Sequence, residues 1–231
     1  MKEKPEFWII AGVNGAGKST IAQQELKALT HQIIYINPDS FVKEIQQDYP
    51  GYNLDTANYA ALKKAREILL QCLKDKRSVA IETTLSSTAY AKHAAFAKEN
   101  GYDVTMLYVG LETIELSIER VKQRVASGGH DVPPAYIQSR WPKSHDNLVK
   151  FLPEVDNAFV YSNTLLGQRI LVAIKKNNKI HLFDRKALPE VTNRLETLIK
   201  KQEGVNNIKK ENISTDSLFK ENSKLVKKPR R

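Results

Sequence analysis

Short unbroken apolar runs alternate along this chain with longer stretches in which apolar positions recur every three or four residues. Phe7-Trp-Ile-Ile-Ala-Gly-Val13 is the first run, rich in β-forming residues and closed by Gly and Asn, which predicts a strand buried on both faces. Similar runs stand at Ile33–Asn37, Val79–Glu82, Val104–Gly110 and Ala158–Ser162. Between them the spacing predicts helices over Lys18–Leu29, Asp55–Asp75, Ser87–Asn100, Glu112–Ser127 and Pro134–Phe151, the second with Ala61, Ala65, Ile68, Leu69 and Cys72 on one stripe. Buried strands alternating with helices predict an α/β fold, a parallel sheet with helices on both faces. After Asn163 the pattern changes. Arg169–Lys175 and Lys179–Phe183 flank Lys176-Asn-Asn178, a hairpin signal, and Pro189–Lys201 reads as a closing helix. The expected organisation is one domain over 1–204, with a core at about 7–163, an extension at 164–204 and a disordered basic tail at 205–231.

Composition narrows the partners. The 231 residues carry 36 Lys and Arg against 26 Asp and Glu, a net charge of +10. Residues 205–231 hold eight Lys/Arg and three Asp/Glu, so half of the excess belongs to the tail, and the rest is a modest balance suited to anionic ligands. The tail's charges are interleaved with acidic and polar residues and Phe219 is its single aromatic, which argues against a nucleic-acid-binding arm with stacking platforms. Cys72 is the only cysteine, so no internal disulfide forms and a reducing, cytoplasmic setting is expected. The longest apolar run is far shorter than the roughly 20 residues that span a bilayer, and no membrane association is expected.

Gly12-Val-Asn-Gly-Ala-Gly-Lys-Ser19 satisfies GxxxxGK[ST] and continues to Thr20. It follows a predicted strand and opens a predicted helix, the context that makes the motif a phosphate loop. Gly12, Gly15 and Gly17 let backbone N–H groups, including those of Asn14 and Ala16, wrap a phosphate at a helix N-terminus. Lys18 can reach the β- and γ-phosphates of ATP, and Ser19 can ligate Mg²⁺. Asp48-Tyr-Pro-Gly51 matches DxxG, but no NKxD follows and no LSGGQ-like helix start occurs. A self-contained phosphotransferase is favoured over a GTPase or a transporter motor.

Asp39, in Asn37-Pro-Asp39, follows the second strand at the carboxyl edge of the sheet, where open α/β sheets bind ligands. It reads either as the base that accepts a proton from an attacking hydroxyl or as the N-cap of the helix running to about Gln47. Glu82 ends the third run and is followed by Thr83-Thr-Leu-Ser-Ser87. Glu82 could hold Mg²⁺ through water or bind a substrate hydroxyl, Thr84 could do the latter, and Ser87 reads as a cap for the next helix. Arg120 and Arg124 share a helix face, Gly128-Gly129 supplies a hinge, Pro133-Pro134 starts the next helix, and Arg140 follows. This reads as a lid carrying arginines over a transferring phosphate, since a guanidinium fork holds phosphate oxygens bidentately. His130, Ser144, His145 and Asn147 are further polar residues near that lid.

Taken in order, Ala11-Gly-Val-Asn-Gly-Ala-Gly-Lys-Ser-Thr20, Asn37-Pro-Asp39, Glu82-Thr-Thr-Leu-Ser-Ser87, Leu107-Tyr-Val-Gly-Leu111, Arg120-Val-Lys-Gln-Arg-Val125, Gly128-Gly-His-Asp-Val-Pro133 and Arg140 resemble the zeta toxin family of P-loop kinases, over about Phe7 to Asn163. The resemblance implies an ATP-dependent kinase of the 3′-hydroxyl of UDP-N-acetylglucosamine and allows an antitoxin protein as partner. It implies that Lys18 and Ser19 hold ATP and Mg²⁺ and that Asp39 is the base. Glu82 and Thr84 would bind the sugar, and Arg124 and Arg140 would steady the phosphate. Relatives acting on other small hydroxylated acceptors share the same pieces, so that acceptor class stays open, and a polynucleotide kinase is the remaining alternative.

Overall fold

The computed structural model describes residues 4–29, 33–165 and 168–206; the expected tail lies outside them from residue 207 onward. A seven-stranded mixed sheet is built from β1 (Glu6–Gly12), β2 (Ile34–Ile36), β3 (Val79–Thr83), β4 (Asp103–Gly110), β5 (Asn157–Leu165), β6 (Gln168–Lys176) and β7 (Lys179–Leu182). The strand order is β2-β3-β1-β4-β5-β6-β7. The first five are parallel, and β6 and β7 add on antiparallel. The expected parallel sheet is therefore present, and the expected hairpin extends it. Asn177 and Asn178, at the β6–β7 turn, have φ of 51° and 60°, the left-handed pair that a tight two-residue hairpin turn needs.

Seven helices cover the sheet: α1 (Lys18–Leu29), α2 (Pro38–Asp48), α3 (Leu54–Lys74), α4 (Ala91–Glu99), α5 (Ile114–Ala126), α6 (Pro134–Phe151) and α7 (Pro189–Asn206) among the described residues. Side chains alternate across the strands, so β1 feeds two cores. Phe7, Ile9 and Ala11 meet Leu69 and Leu73 of α3, Ala94 and Ala97 of α4, Leu148 and Phe151 of α6, and Val191 and Leu195 of α7. Ile10 faces Ile21, Ala22 and Leu26 of α1 together with Trp141. The extension at 164–204 is thus part of the sheet and of the larger core. None of the described helices is long and apolar enough to cross a membrane.

Two caps differ from expectation. Asn37 caps α2, its side chain accepting from the Asp39 N–H, with Pro38 at the first helical position. Asp39 is therefore not the cap, because proline's fixed φ suits the first turn and displaces the capping role to the residue before it. Helix α4 begins at Ala91 after Tyr90, with no side-chain cap, so Ser87 does not cap it. The intervening turn is held otherwise: Leu85 is buried at φ 56°, and its carbonyl accepts from Asn147 Nδ2 at 2.8 Å.

Candidate active site

The carboxyl ends of β1, β2 and β3 converge at one edge. Register pairs Ala11 with Thr83 and Ile36 with Ile81, which brings the phosphate loop, the β2–α2 junction and Glu82 together. Gly12 has φ 142°, and a Cβ there would lie 2.0 Å from the Val109 carbonyl oxygen; only glycine lets the loop leave β1 this close to β4. The loop is also tied down from outside the motif. Ser117 Oγ donates to the Asn14 carbonyl, and Asn163 Nδ2 donates to the Ala16 carbonyl at 2.9 Å.

Lys18 and Glu82 are each 8% exposed and form an ion pair at 3.9 Å. Lys18 Nζ also donates to the Val13 carbonyl at 3.1 Å. Glu82 Oε2 accepts from Ser19 Oγ at 2.8 Å, from Asn37 Nδ2 at 3.4 Å and from the Tyr35 hydroxyl. A charge so buried requires such partners. Burial pushes the Lys18 ammonium below the ordinary lysine value; Glu82 and Asp39 pull it back up, and Arg124 and Arg140 act in the same direction as burial. Lys18 therefore lies within electrostatic reach of four other charged groups predicted from sequence. Burial, reinforced by Glu82, keeps the Tyr35 hydroxyl protonated far above its usual range.

A cleft of about 170 Å³ opens from this cluster. Asn14, Lys18, Asp39, Glu82, Thr84, Arg124 and Arg140 all line it, as does His130. Its far wall adds Asn58 and Arg66 of α3 and Tyr90. Arg120 stands outside the cleft: its Cβ packs near Gly15, and its Nη2 donates to the Thr164 carbonyl at 2.8 Å. Thr20 is exposed on α1. Ser144, His145 and Asn147 belong to the core and not to the lid. Ser144 meets the Tyr108 hydroxyl at 3.0 Å, and His145 Nδ1 lies 3.3 Å from Glu190.

The donor set suits a nucleoside triphosphate with its metal. Arg120 Nε, Arg124 Nε and Arg124 Nη2 are buried without hydrogen-bond partners, although buried guanidinium groups are normally satisfied. Ser19 and Glu82 put a hydroxyl and a carboxylate side by side, oxygen ligands of the kind Mg²⁺ takes along with phosphates. Tyr35, Asn37, Ser117, Asn163 and Arg66 were not singled out from sequence as site residues. Asn163 and Ser117 carry no motif, and only the folded chain brings them to the loop.

The family model for zeta toxin matches residues 1–187, and the chain belongs to the zeta toxin family. An uncharacterised protein of Haemophilus influenzae is 30% identical over 141 residues, which is 61% of this chain and 94% of the other. Among solved structures, the chain is similar to one from the PezAT chromosomal toxin–antitoxin system of Streptococcus pneumoniae, with a TM-score of 0.61, 22% identity, and coverage of 90% of this chain and 89% of that one. It is also similar to a chain from the AvrRxo1-ORF1:-ORF2 structure with ATP, with a TM-score of 0.63, 16% identity, and coverage of 98% and 73%. These structural likenesses show that the chain shares the α/β fold of those proteins.

Proposed function

We propose that this member of the zeta toxin family is an ATP-dependent kinase that moves the γ-phosphate to a hydroxyl of a nucleotide sugar, UDP-N-acetylglucosamine by preference, at its 3′-hydroxyl. The observation that carries this reading is that Lys18, Glu82, Asp39, Arg124 and Arg140 line a single cleft, with Lys18 and Glu82 as a buried ion pair. The phosphate loop and Lys18 hold the triphosphate, with Gly12, Gly15 and Gly17 in the conformations that wrap it. Mg²⁺ bound beside Ser19 and Glu82 would neutralise charge on the phosphate oxygens. Asp39 is exposed at the cleft and free of the capping duty that Asn37 performs; it accepts the proton of the acceptor hydroxyl. The unpartnered Arg124 N–H groups and Arg140 stabilise charge on the transferring group. Thr84 binds an acceptor hydroxyl, and Arg120, anchored at the Thr164 carbonyl, backs the loop at Gly15.

The far wall supports a polar acceptor. Arg66 and the Tyr90 hydroxyl interact with each other and both line the cleft, where they offer polar groups to an acceptor. One observation favours a second reading, a smaller hydroxylated metabolite or antibiotic: the cleft encloses about 170 Å³, less than the roughly 300 Å³ at which ordinary small-molecule sites begin. Separation of labelled products from γ-labelled ATP offered UDP-N-acetylglucosamine, N-acetylglucosamine and a panel of small polyols decides between them. Label on the nucleotide sugar alone upholds the first reading, and label on a small polyol alone replaces it. Similarity to a chain of a toxin–antitoxin system supports an antitoxin partner, to be sought by relief of growth arrest on co-expression.

A further inference from the structure

The two walls at the mouth of the cleft each carry a small core of their own. Val42, Ile45, Ala57 and Ala61 pack between α2 and α3, and Val121, Val132 and Ile137 pack within the lid. Each cluster is distinct from the two large cores, and Phe41 and Ile114 are the partly buried residues shared between them, while α3 is rooted on the sheet further along by Leu69 and Leu73 and α6 by Trp141. The lid also has weak points at both ends. Gly128, at φ 82°, has open space around it, and Pro142 inside α6 cannot donate to the Gln138 carbonyl, removing one helical rung.

Tyr136, in the first turn of α6, bridges the walls. Its hydroxyl donates to Asp55 Oδ1 at 3.1 Å, Asp55 being in the first turn of α3. Its ring faces the Arg140 guanidinium, whose carbon lies 5.3 Å from the ring centroid, within cation–π range. We propose that Tyr136 is a positioning residue with two contacts: through Asp55 it latches the lid to α3, and through its ring it sets Arg140 over the transferring phosphate. The inference rests on the reading of the cleft as the acceptor site. Tyr136 and the α3 residues flanking Asp55, Leu54 and Asn58, line the cleft, so the acceptor enters with Tyr136 and Asp55 parted and is enclosed when they rejoin. A hydrogen bond between exposed groups is weak enough to open in every catalytic cycle. Closing it aligns Arg140 and excludes water from the phosphate in the same movement.

The test uses the full chain with Y136F, which keeps the ring and loses the hydroxyl, Y136L, which loses both, D55A, and the Y136F/D55A pair. Amide hydrogen exchange with a non-hydrolysable ATP analogue bound is read over residues 128–140 and 54–62, and steady-state transfer to UDP-N-acetylglucosamine is read beside ATP hydrolysis without acceptor. Y136F and D55A are each expected to speed exchange in both segments and to raise acceptor KM about five-fold, at unchanged ATP KM, with the pair no worse than either alone. Y136L is expected to lower kcat about ten-fold further and to raise hydrolysis relative to transfer. Unchanged exchange in Y136F overturns the latch, as does additivity in the pair or a loss that merely follows melting temperature. If the wild type fails to phosphorylate UDP-N-acetylglucosamine, the acceptor assignment falls instead, and exchange still decides the latch.

Discussion

At the phosphate loop a methyl group added to Gly12 would lie 2.0 Å from the Val109 carbonyl oxygen, whereas at Gly128 of the lid an added Cβ meets nothing within 4 Å. The same contrast runs through their surroundings. Lys18 and Glu82 are buried, paired and tied to Val13, Ser19, Tyr35 and Asn37, and Ser117 and Asn163 hold the loop from two further elements. The walls have four- and three-residue cores and meet through exposed groups. On the proposed function, the end that would cradle a triphosphate is held from many sides, while the end that would admit an acceptor has small cores and an exposed contact between its walls.

The contrast breaks most readily at its rigid end. Gly12→Ala is expected to abolish nucleotide binding, because the backbone of β4 cannot give way and φ 142° is closed to alanine. Titration with a fluorescent ATP analogue measures this; Gly128→Ala, measured in parallel, is expected to bind normally. Equal losses in the two variants would show that the loop is no more constrained than the lid.

Asp39→Asn comes next in size. It removes the group proposed to take the proton while leaving Asn37 to cap α2, so ATP binding should persist and transfer should fall by about 10² to 10⁴. Single-turnover phosphate transfer with bound ATP measures it. Survival of transfer would remove Asp39 from the chemistry.

The same contrast marks what the sequence makes legible. The phosphate loop is local: strand, glycines, lysine and helix follow one another from Phe7 to Leu29, and the alternation of buried runs with periodic stretches predicts the five parallel strands and five of the six described α-helices up to Ser162, α2 entering only through the capping reading of Asp39. The residues that hold the site together from a distance were not legible. Asn163 lies beyond the last recognisable motif, Ser117 looks like any helix serine, and Tyr35 acquires meaning only when β2 is set beside β3. The lid is legible by its hinge and arginines, and α6 has the expected bounds Pro134–Phe151, but the part of α6 that belongs to the core is not. The polar residues after Pro142 fit an exposed helix face by pattern, yet Ser144, His145 and Asn147 turn inward because Tyr108, Glu190 and the Leu85 carbonyl offer them partners. Tertiary partners overrode a surface-like composition.

Helix α6 belongs to both regions, and a pH experiment separates its halves. The half before Pro142 carries Tyr136 and Arg140, and the half after it roots the helix through His145, which is 1% exposed. Burial lowers the His145 value below the usual 6.5, and Arg194 adds to this, while its contact with Glu190 and the charge of Asp146 push the other way. Burial lowers His93 and His181 in the same sense. The unfolded chain therefore takes up protons first as pH falls through about 6.5, so stability is full above that value and declines below it until the folded values are reached. Melting temperature should drop between pH 7 and 5, and His145→Gln, although less stable at pH 7, should show a shallower drop. Because His145 roots the rigid half, hydrogen exchange in residues 143–151 should follow this drop, while residues 134–140, already free to open, should change less. Equal responses in both halves would mean that Pro142 does not divide the helix and that lid and core move as one body.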